Sequence, residues 1–284
     1  MSDRWGFGIV RSIDWSDGKA SFEDLCKLAS VAAGITLHPV VTSSYDELAA
    51  AIRDGEVGLA WLPPVPTIDL QARGVASVLA IPARRGSTSY HAAFIVRRGG
   101  PKTLAELRGR RAAWVQRDSA AGYLVPRMHL AAQGFDVLRF FARELFVHSH
   151  SGVVDAVVSG DADVGATFCN VDATTGKVVR SAWQDDNGTS IRPIEAIATM
   201  GPIPNDALVA SNDVPAAARS ALTRWLLTLE GPAKEIFDAL LGSGDFRVPA
   251  TNHYEVLRHA LRAAHARGHD ALPPSSRMRM RVGR

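Results

Sequence analysis

Between Ala112 and Gly134 an apolar strand breaks into small residues with one hydroxyl and then runs into an amphipathic helix. Val115 ends the apolar run, and Asp118 and Ser119 are of the types favoured at a helix N-cap. Ala120, Ala121 and Gly122 would leave the first-turn amides unshielded by bulk. Four donors at a helix start have no partner inside the helix, and the aligned peptide dipoles put partial positive charge there. A phosphate-like group or a carboxylate fits such a place. An ordinary capped helix uses the same residue types, so this junction by itself leaves both readings open.

Other spacings carry less. His148 and His150 form an H-x-H pair that could ligate zinc, but no third ligand is spaced nearby, so no metal is expected. Gly6 and Gly8 mimic the start of a dinucleotide loop whose third glycine is missing. There is no G-x-S-x-G elbow, and Ser119 has no base beside it in sequence. Cys26 and Cys169 lie far apart without a C-x-x-C pair and read as buried thiols. His253, His259, His265 and His269 are spaced so that they do not share one helix face, which predicts a solvated helix. No cofactor is expected.

The elements that would position the junction alternate. Strands are predicted at 5–10, 35–41, 57–62 and 75–81, with helices at 21–33, opened by a Ser-x-x-Asp cap, and at 45–53. Residues 89–97 read as a crossing strand into a second unit: helix 104–107, strand 111–115, helix 120–133, strand 145–148, helix 152–158, strand 164–168. Residues 171–192, rich in turn-formers, read as a surface excursion before strand 194–199. Helices at 215–229, 233–241 and 254–266 are expected to return to the first lobe's sheet, with a loosely held tail from Leu272. Such alternation implies parallel sheets covered by helices, with binding beyond the carboxyl ends of the strands.

The composition, 46% apolar and 21% charged over 284 residues, suits a globular chain with a sizeable core. Of 32 basic residues only five are lysine, a bias that reads as coding preference as readily as phosphate recognition. The arginines are scattered rather than interleaved with aromatics, so no nucleic acid is expected. No run approaches the roughly 18 to 20 apolar residues that span a bilayer, so no membrane insertion is expected. The opening MSDRWGFGIV lacks the pattern of an export leader. The sequence as written therefore predicts a cytoplasmic protein, or a periplasmic or extracytoplasmic one if a leader was removed.

Four segments in order carry a family resemblance: Thr42 to Pro64, Ser89 to Pro126, Val147 to Thr167 and Gly201 to Ser211. Their most specific parts are the S-x-x-G-Y-x-x-P motif from Ser119 and the segment VHSHSGVVDAVVSGDADVGAT. Together they resemble the phosphonate, phosphate and phosphite substrate-binding proteins of ABC importers. The resemblance implies an α/β fold of two lobes, the type II periplasmic-binding-protein arrangement, each lobe a mostly parallel sheet flanked by helices and joined by a two-strand hinge. Lobe I would comprise 1–94 with 200–284, and lobe II 95–199. It implies a cleft lined by Tyr45, Pro64, Tyr90, Ser119, Ala120, Ala121, Gly122, His150 and Asp206. In that cleft Tyr45 and Tyr90 would contact ligand, Pro64 would shape the edge, and Asp206 would accept from an amine or a protonated oxygen. Phosphonate binders usually show S-T-S-G where this chain has S-A-A-G, so two hydroxyl donors are replaced by alanine. The implied function is capture of a small anionic ligand, a phosphonate- or phosphate-like oxyanion or a carboxylate, with an ABC permease as partner if the chain is exported. The alternatives are a cytosolic lyase-type enzyme on the same fold, with His150, Asp206 or Tyr90 as acid or base, and a ligand-sensing domain.

Overall fold

A computed structural model describes residues 4–10, 18–117, 119–172, 174–185 and 187–266. The expectations for Asp118, for His269 and for the tail from Leu272 lie outside these. The chain divides into two compact units, Met1–Ser89 with Pro204–Tyr254, and Tyr90–Ile203 with the residues from Glu255.

The first unit is built on β1 (Arg4–Val10), α1 (Gly18–Ala33), β2 (Thr36–Thr42), α2 (Tyr45–Arg53), β3 (Val57–Leu62), α3 (Pro64–Ala72) and β4 (Ala76–Pro82). β1 pairs in parallel with both β2 and β3. Every residue of β3, VGLAWL, is buried, as expected of a parallel strand covered on both faces. Gly6 and Gly8 serve this packing. A Cβ on Gly6 would lie 2.7 Å from the Glu56 carbonyl oxygen and 2.8 Å from Val40 Cγ2. α1 begins at Gly18, upstream of the cap expected at Ser21.

α3 was hidden by its prolines, which read as strand breakers. Pro64 occupies the first helical position and Pro66 the third, where a missing N–H removes no intrahelical bond. Across β3 and β4 lies β11 (Ala207–Ser211), antiparallel to each, and β12 (Phe246–Arg247) closes the edge on β4. The sheet order is β12-β4-β11-β3-β1-β2. α6 (Ala216–Leu227) and α7 (Gly231–Leu241) complete this unit around a core that includes Phe7, Phe22, Trp61, Leu222, Phe237 and Phe246.

In the second unit, β5 (Ser89–Arg97), β6 (Arg111–Trp114), β7 (Arg143–Phe146), β8 (Val164–Val171) and β10 (Ile194–Pro204) form a sheet in the order β10-β5-β8-β6-β7. β6 is parallel to β7 and β8, whereas β5 is antiparallel to β8. The excursion at 171–192 is not wholly irregular: β9 (Val178–Ser181) pairs antiparallel with β8, and Trp183 is buried beside it. Trp114, fully buried, holds the layer together through edge contacts with Phe94, Tyr123 and Phe141 at 5.4 to 6.3 Å. The last helix, α8 (Glu255–Ala266), packs on α4 (Val125–Ala132) of this unit, not on the first unit's sheet where the sequence had placed it. Among the described residues no helix is long and apolar enough to cross a membrane.

Candidate functional site

The predicted contacts fall into two sets, one on each unit. On the second unit the chain leaves β6 at Trp114 and reaches Ser119, the N-cap of a π-helical turn, Ala120–Leu124, that runs directly into α4. The expected single helix from 120 to 133 is thus wide-wound in its first turn, a distortion often found where function has been built in. Ser119 Oγ accepts the Gly122 amide at 3.1 Å, and the Ser119 carbonyl accepts the Leu124 amide at 3.0 Å. The Gly122 amide therefore caps the turn and is not left for a ligand. First-turn amides such as those of Ala120 and Ala121 have no intrahelical acceptor, and the Ser119 hydroxyl still has its proton to donate.

Gly122 is fixed by contact. A Cβ there would meet Val115 Cβ at 2.6 Å and Ser119 Oγ at 2.8 Å. Within the turn, the Tyr123 ring has two guanidiniums near it, with Arg127 at 5.0 Å and Arg117 at 5.9 Å from its ring centre. Arg117 also donates to the Tyr123 hydroxyl at 3.2 Å and lies over Phe146 at 4.7 Å. Arg127, almost wholly buried, donates to Glu144 at 2.7 Å and to the Val137 carbonyl at 2.9 Å. Sequence reading passed over both arginines. The signal available for Arg117 was a basic residue two positions before the cap.

His150 opens α5 (His150–Ser159) behind its N-cap Ser149, so it sits inside the first turn and not ahead of a helix starting at Gly152. Its Nδ1 is 2.9 Å from Thr167 Oγ1, a fully buried hydroxyl on β8, and the Phe168 ring meets it edge-on at 5.1 Å. Burial pushes its pKa down to about 4, which keeps the imidazole neutral near pH 7. His148, exposed and at φ 62°, terminates the strand side of this loop. Tyr90, half-buried, lies on β5 next to His91, whose pKa is also lowered by burial.

On the first unit, Tyr45 is the first residue of α2, half-buried, behind the N-cap Ser44, which accepts the Glu47 amide at 3.2 Å. Glu47 reaches back to the Ser43 amide and hydroxyl at 2.8 and 2.7 Å, a reciprocal cap that fixes this helix start. Pro64 is buried at the start of α3, where it can shape but not donate. Asp206 precedes β11, whose register sets Leu208 opposite Trp61. Arg84 Nη2 donates to Asp206 Oδ2 at 3.2 Å, and the Trp61 indole N–H also supports the carboxylate. Desolvation nonetheless outweighs both partners and raises the Asp206 pKa. The Tyr254 hydroxyl, within the Asp206 field, is buried with no hydrogen-bond partner among the described residues. Arg84, Trp61 and Tyr254 were not anticipated from sequence.

A model of the family described as "ABC transporter, phosphonate, periplasmic substrate-binding protein" matches residues 7–254. The chain belongs to this family. It is a solute-binding protein of the phosphonate ABC transporter family, with the periplasmic-binding-protein fold. Because the family is a periplasmic one, the cytoplasmic expectation finds no support. Among solved structures, XAC2383 from Xanthomonas citri is similar in its chloride-bound form, with a TM-score of 0.76 and 21% identity over 94% of this chain and 100% of that one. Its ATP-bound form gives 0.74 and 21% over 95% and 100%. PhnD1 from Prochlorococcus marinus, in complex with methylphosphonate, gives 0.68 and 16% over 93% and 98%. At these identities the likeness speaks for the fold.

Proposed function

We propose that this phosphonate-family protein captures a small oxyanion, phosphonate- or phosphate-like or a carboxylate, and delivers it to an ABC permease. The observation that carries the reading is the Ser119-capped π-turn at the end of β6. It combines one hydroxyl with a helix start and alanines small enough to admit an anion. His150 supports it as a neutral donor or acceptor, its Nδ1 tied to Thr167 so that Nε2 remains for a ligand oxygen. Tyr90 on the same unit, and Tyr45, Pro64 and Asp206 on the other, are proposed as further contacts that set selectivity. The solved relatives hold anions of different sizes, chloride, ATP and methylphosphonate, which agrees with an anion site whose selectivity varies.

Relative to S-T-S-G, the S-A-A-G stretch lacks two hydroxyl donors, each worth roughly 1 kcal/mol. A ligand that asks for fewer donors than a doubly charged phosphonate would lose less by this change, which keeps a carboxylate beside the phosphonate- and phosphate-like oxyanions. Thermal-shift titration with phosphate, phosphite, alkylphosphonates, sulfonates and aromatic carboxylates tests this. A ligand at 100 times its Kd stabilises by about 2.7 kcal/mol. A shift that survives unchanged in both Ser119→Ala and Asp206→Ala overturns the assignment.

A further inference from the structure

A cavity of about 350 Å³ opens in the second unit between α4, α8 and the end of β10, and none of the nine predicted contact residues lines it. Its wall on α4 is Val125, Met128, His129 and Ala132, the spacing of one helix face. Val256, Leu257 and Ala260 of α8 form a second wall, and Thr199 to Ile203 of β10 a third. α4 packs on α8, but Ala131, Ala132 and Ala260 stop at Cβ and do not fill the space between. Folded chains seldom leave a void of this size, since their interiors are packed as densely as organic crystals. Met128, Met200, Ile203 and Leu257 are buried, whereas Val256 is 57% exposed, so the space runs from a buried base to an open mouth.

The lining decides what can enter. No Asp, Glu, Lys or Arg is among the described residues that line it, so a charge taken inside would lose its hydration and gain no counter-ion. Two of the chain's five methionines, Met128 on α4 and Met200 on β10, stand on separate walls. Thioethers adapt to the shape they meet and make favourable contacts with aromatic rings. His129, half-buried, adds a polar group. Burial lowers its pKa, and no described residue hydrogen-bonds to the ring, so a neutral imidazole offers one donor and one acceptor. An apolar cavity of roughly 150 Å³ accepts benzene, which gives this one room for two fused rings. The volume is on the scale of a small-molecule pocket.

We infer that this cavity is a second binding site, for a small uncharged aromatic molecule of two fused rings whose one hydrogen-bonding group meets His129. It is separate from the anion site proposed above and stands or falls without it.

Titration calorimetry of the whole chain with indole tests it. Saturable binding at one site is expected, with a Kd below about 1 mM. Indene, the same bicycle without the N–H, should bind at least threefold more weakly, and that difference should vanish in His129→Leu. N-methylquinolinium, a fused-ring cation, should bind at least tenfold more weakly than indole. Ala260→Phe and Ala132→Phe fill the space from α8 and from α4. Each should weaken indole at least tenfold with the melting midpoint held within about 2 °C or raised, and either variant serves if the other does not fold. Absence of saturable indole binding overturns the inference, and so does an affinity that stays within threefold in a folded filled variant. N-methylquinolinium binding as tightly as indole overturns the uncharged class, and an indole-to-indene ratio unmoved in a folded His129→Leu overturns the role given to His129.

Discussion

Substituting Ser119 separates the two things its hydroxyl does. In the structure Oγ accepts the Gly122 amide at 3.1 Å and caps the π-turn, and its proton is proposed to reach the ligand. Ser119→Ala removes both roles. Loss of a cap costs about 1 kcal/mol, which lowers the melting midpoint by roughly 2 to 4 °C in a chain of this size. Loss of a hydrogen bond to a charged oxygen costs about 1.5 to 3 kcal/mol, or roughly 10- to 150-fold in Kd at 1.4 kcal/mol per decade. Ser119→Asp splits these effects. Aspartate caps as well as serine and gains from the helix dipole, so the midpoint should stay within about 1 °C. A carboxylate about 4 Å from a bound anion at an effective dielectric near 20 is opposed by about 4 kcal/mol, so binding should weaken at least a hundredfold. Differential scanning fluorimetry for the fold and titration calorimetry for the ligand read the two separately. A Ser119→Asp variant that melts normally and binds the anion within threefold of the original would refute the placement of the anion at this turn.

The same structure sets three further outcomes. Gly122→Ala drives a methyl to within 2.6 Å of Val115 Cβ, and should cost about 1 to 3 kcal/mol by chemical denaturation with a loss of ligand affinity. For His150, the fold lowers a pKa of 6.5 to about 4 through burial. Between those values the unfolded chain binds more protons, so stability should fall by at most about 3 kcal/mol as pH drops from 6.5 to 4, and His150→Gln should flatten that slope in urea titrations across the range. Arg127→Leu leaves the Glu144 carboxylate and the Val137 carbonyl without their donor and should destabilise by about 3 kcal/mol, part of which Glu144→Leu in the same protein recovers. An additive double mutant would dismiss that coupling.

What the sequence made legible was whatever its own neighbourhood decides. α2 and β3 lie where expected to the residue, because Ser44 and Glu47 signal a helix start locally and VGLAWL is a buried apolar run whatever surrounds it. Elements fixed by distant partners were invisible. β11 is five residues that become a strand only between β3 and β4, and β12 is two residues given order by β4. α3 was missed for the opposite reason, since a strong local signal, proline, carries different meaning at a helix start than within a strand.

The same division runs through the site. The Ser119 cap was legible because a cap is written within three residues, but the close approach of Val115 to Gly122, which leaves no room for a side chain there, is not. His150 was legible as a candidate, whereas its neutrality comes from burial, and the residues it meets, Thr167 and Phe168, lie on β8. Asp206 stands 122 positions from Arg84, and no pattern along the chain joins an arginine in a tight turn to an acid before a strand. Asn205, beside that acid, donates its side-chain amide to the Pro82 and Ser87 carbonyls, backbone groups that any sequence supplies equally. A site of this kind is therefore fixed by contacts that the fold creates between segments far apart in sequence, and no stretch read by itself contains them.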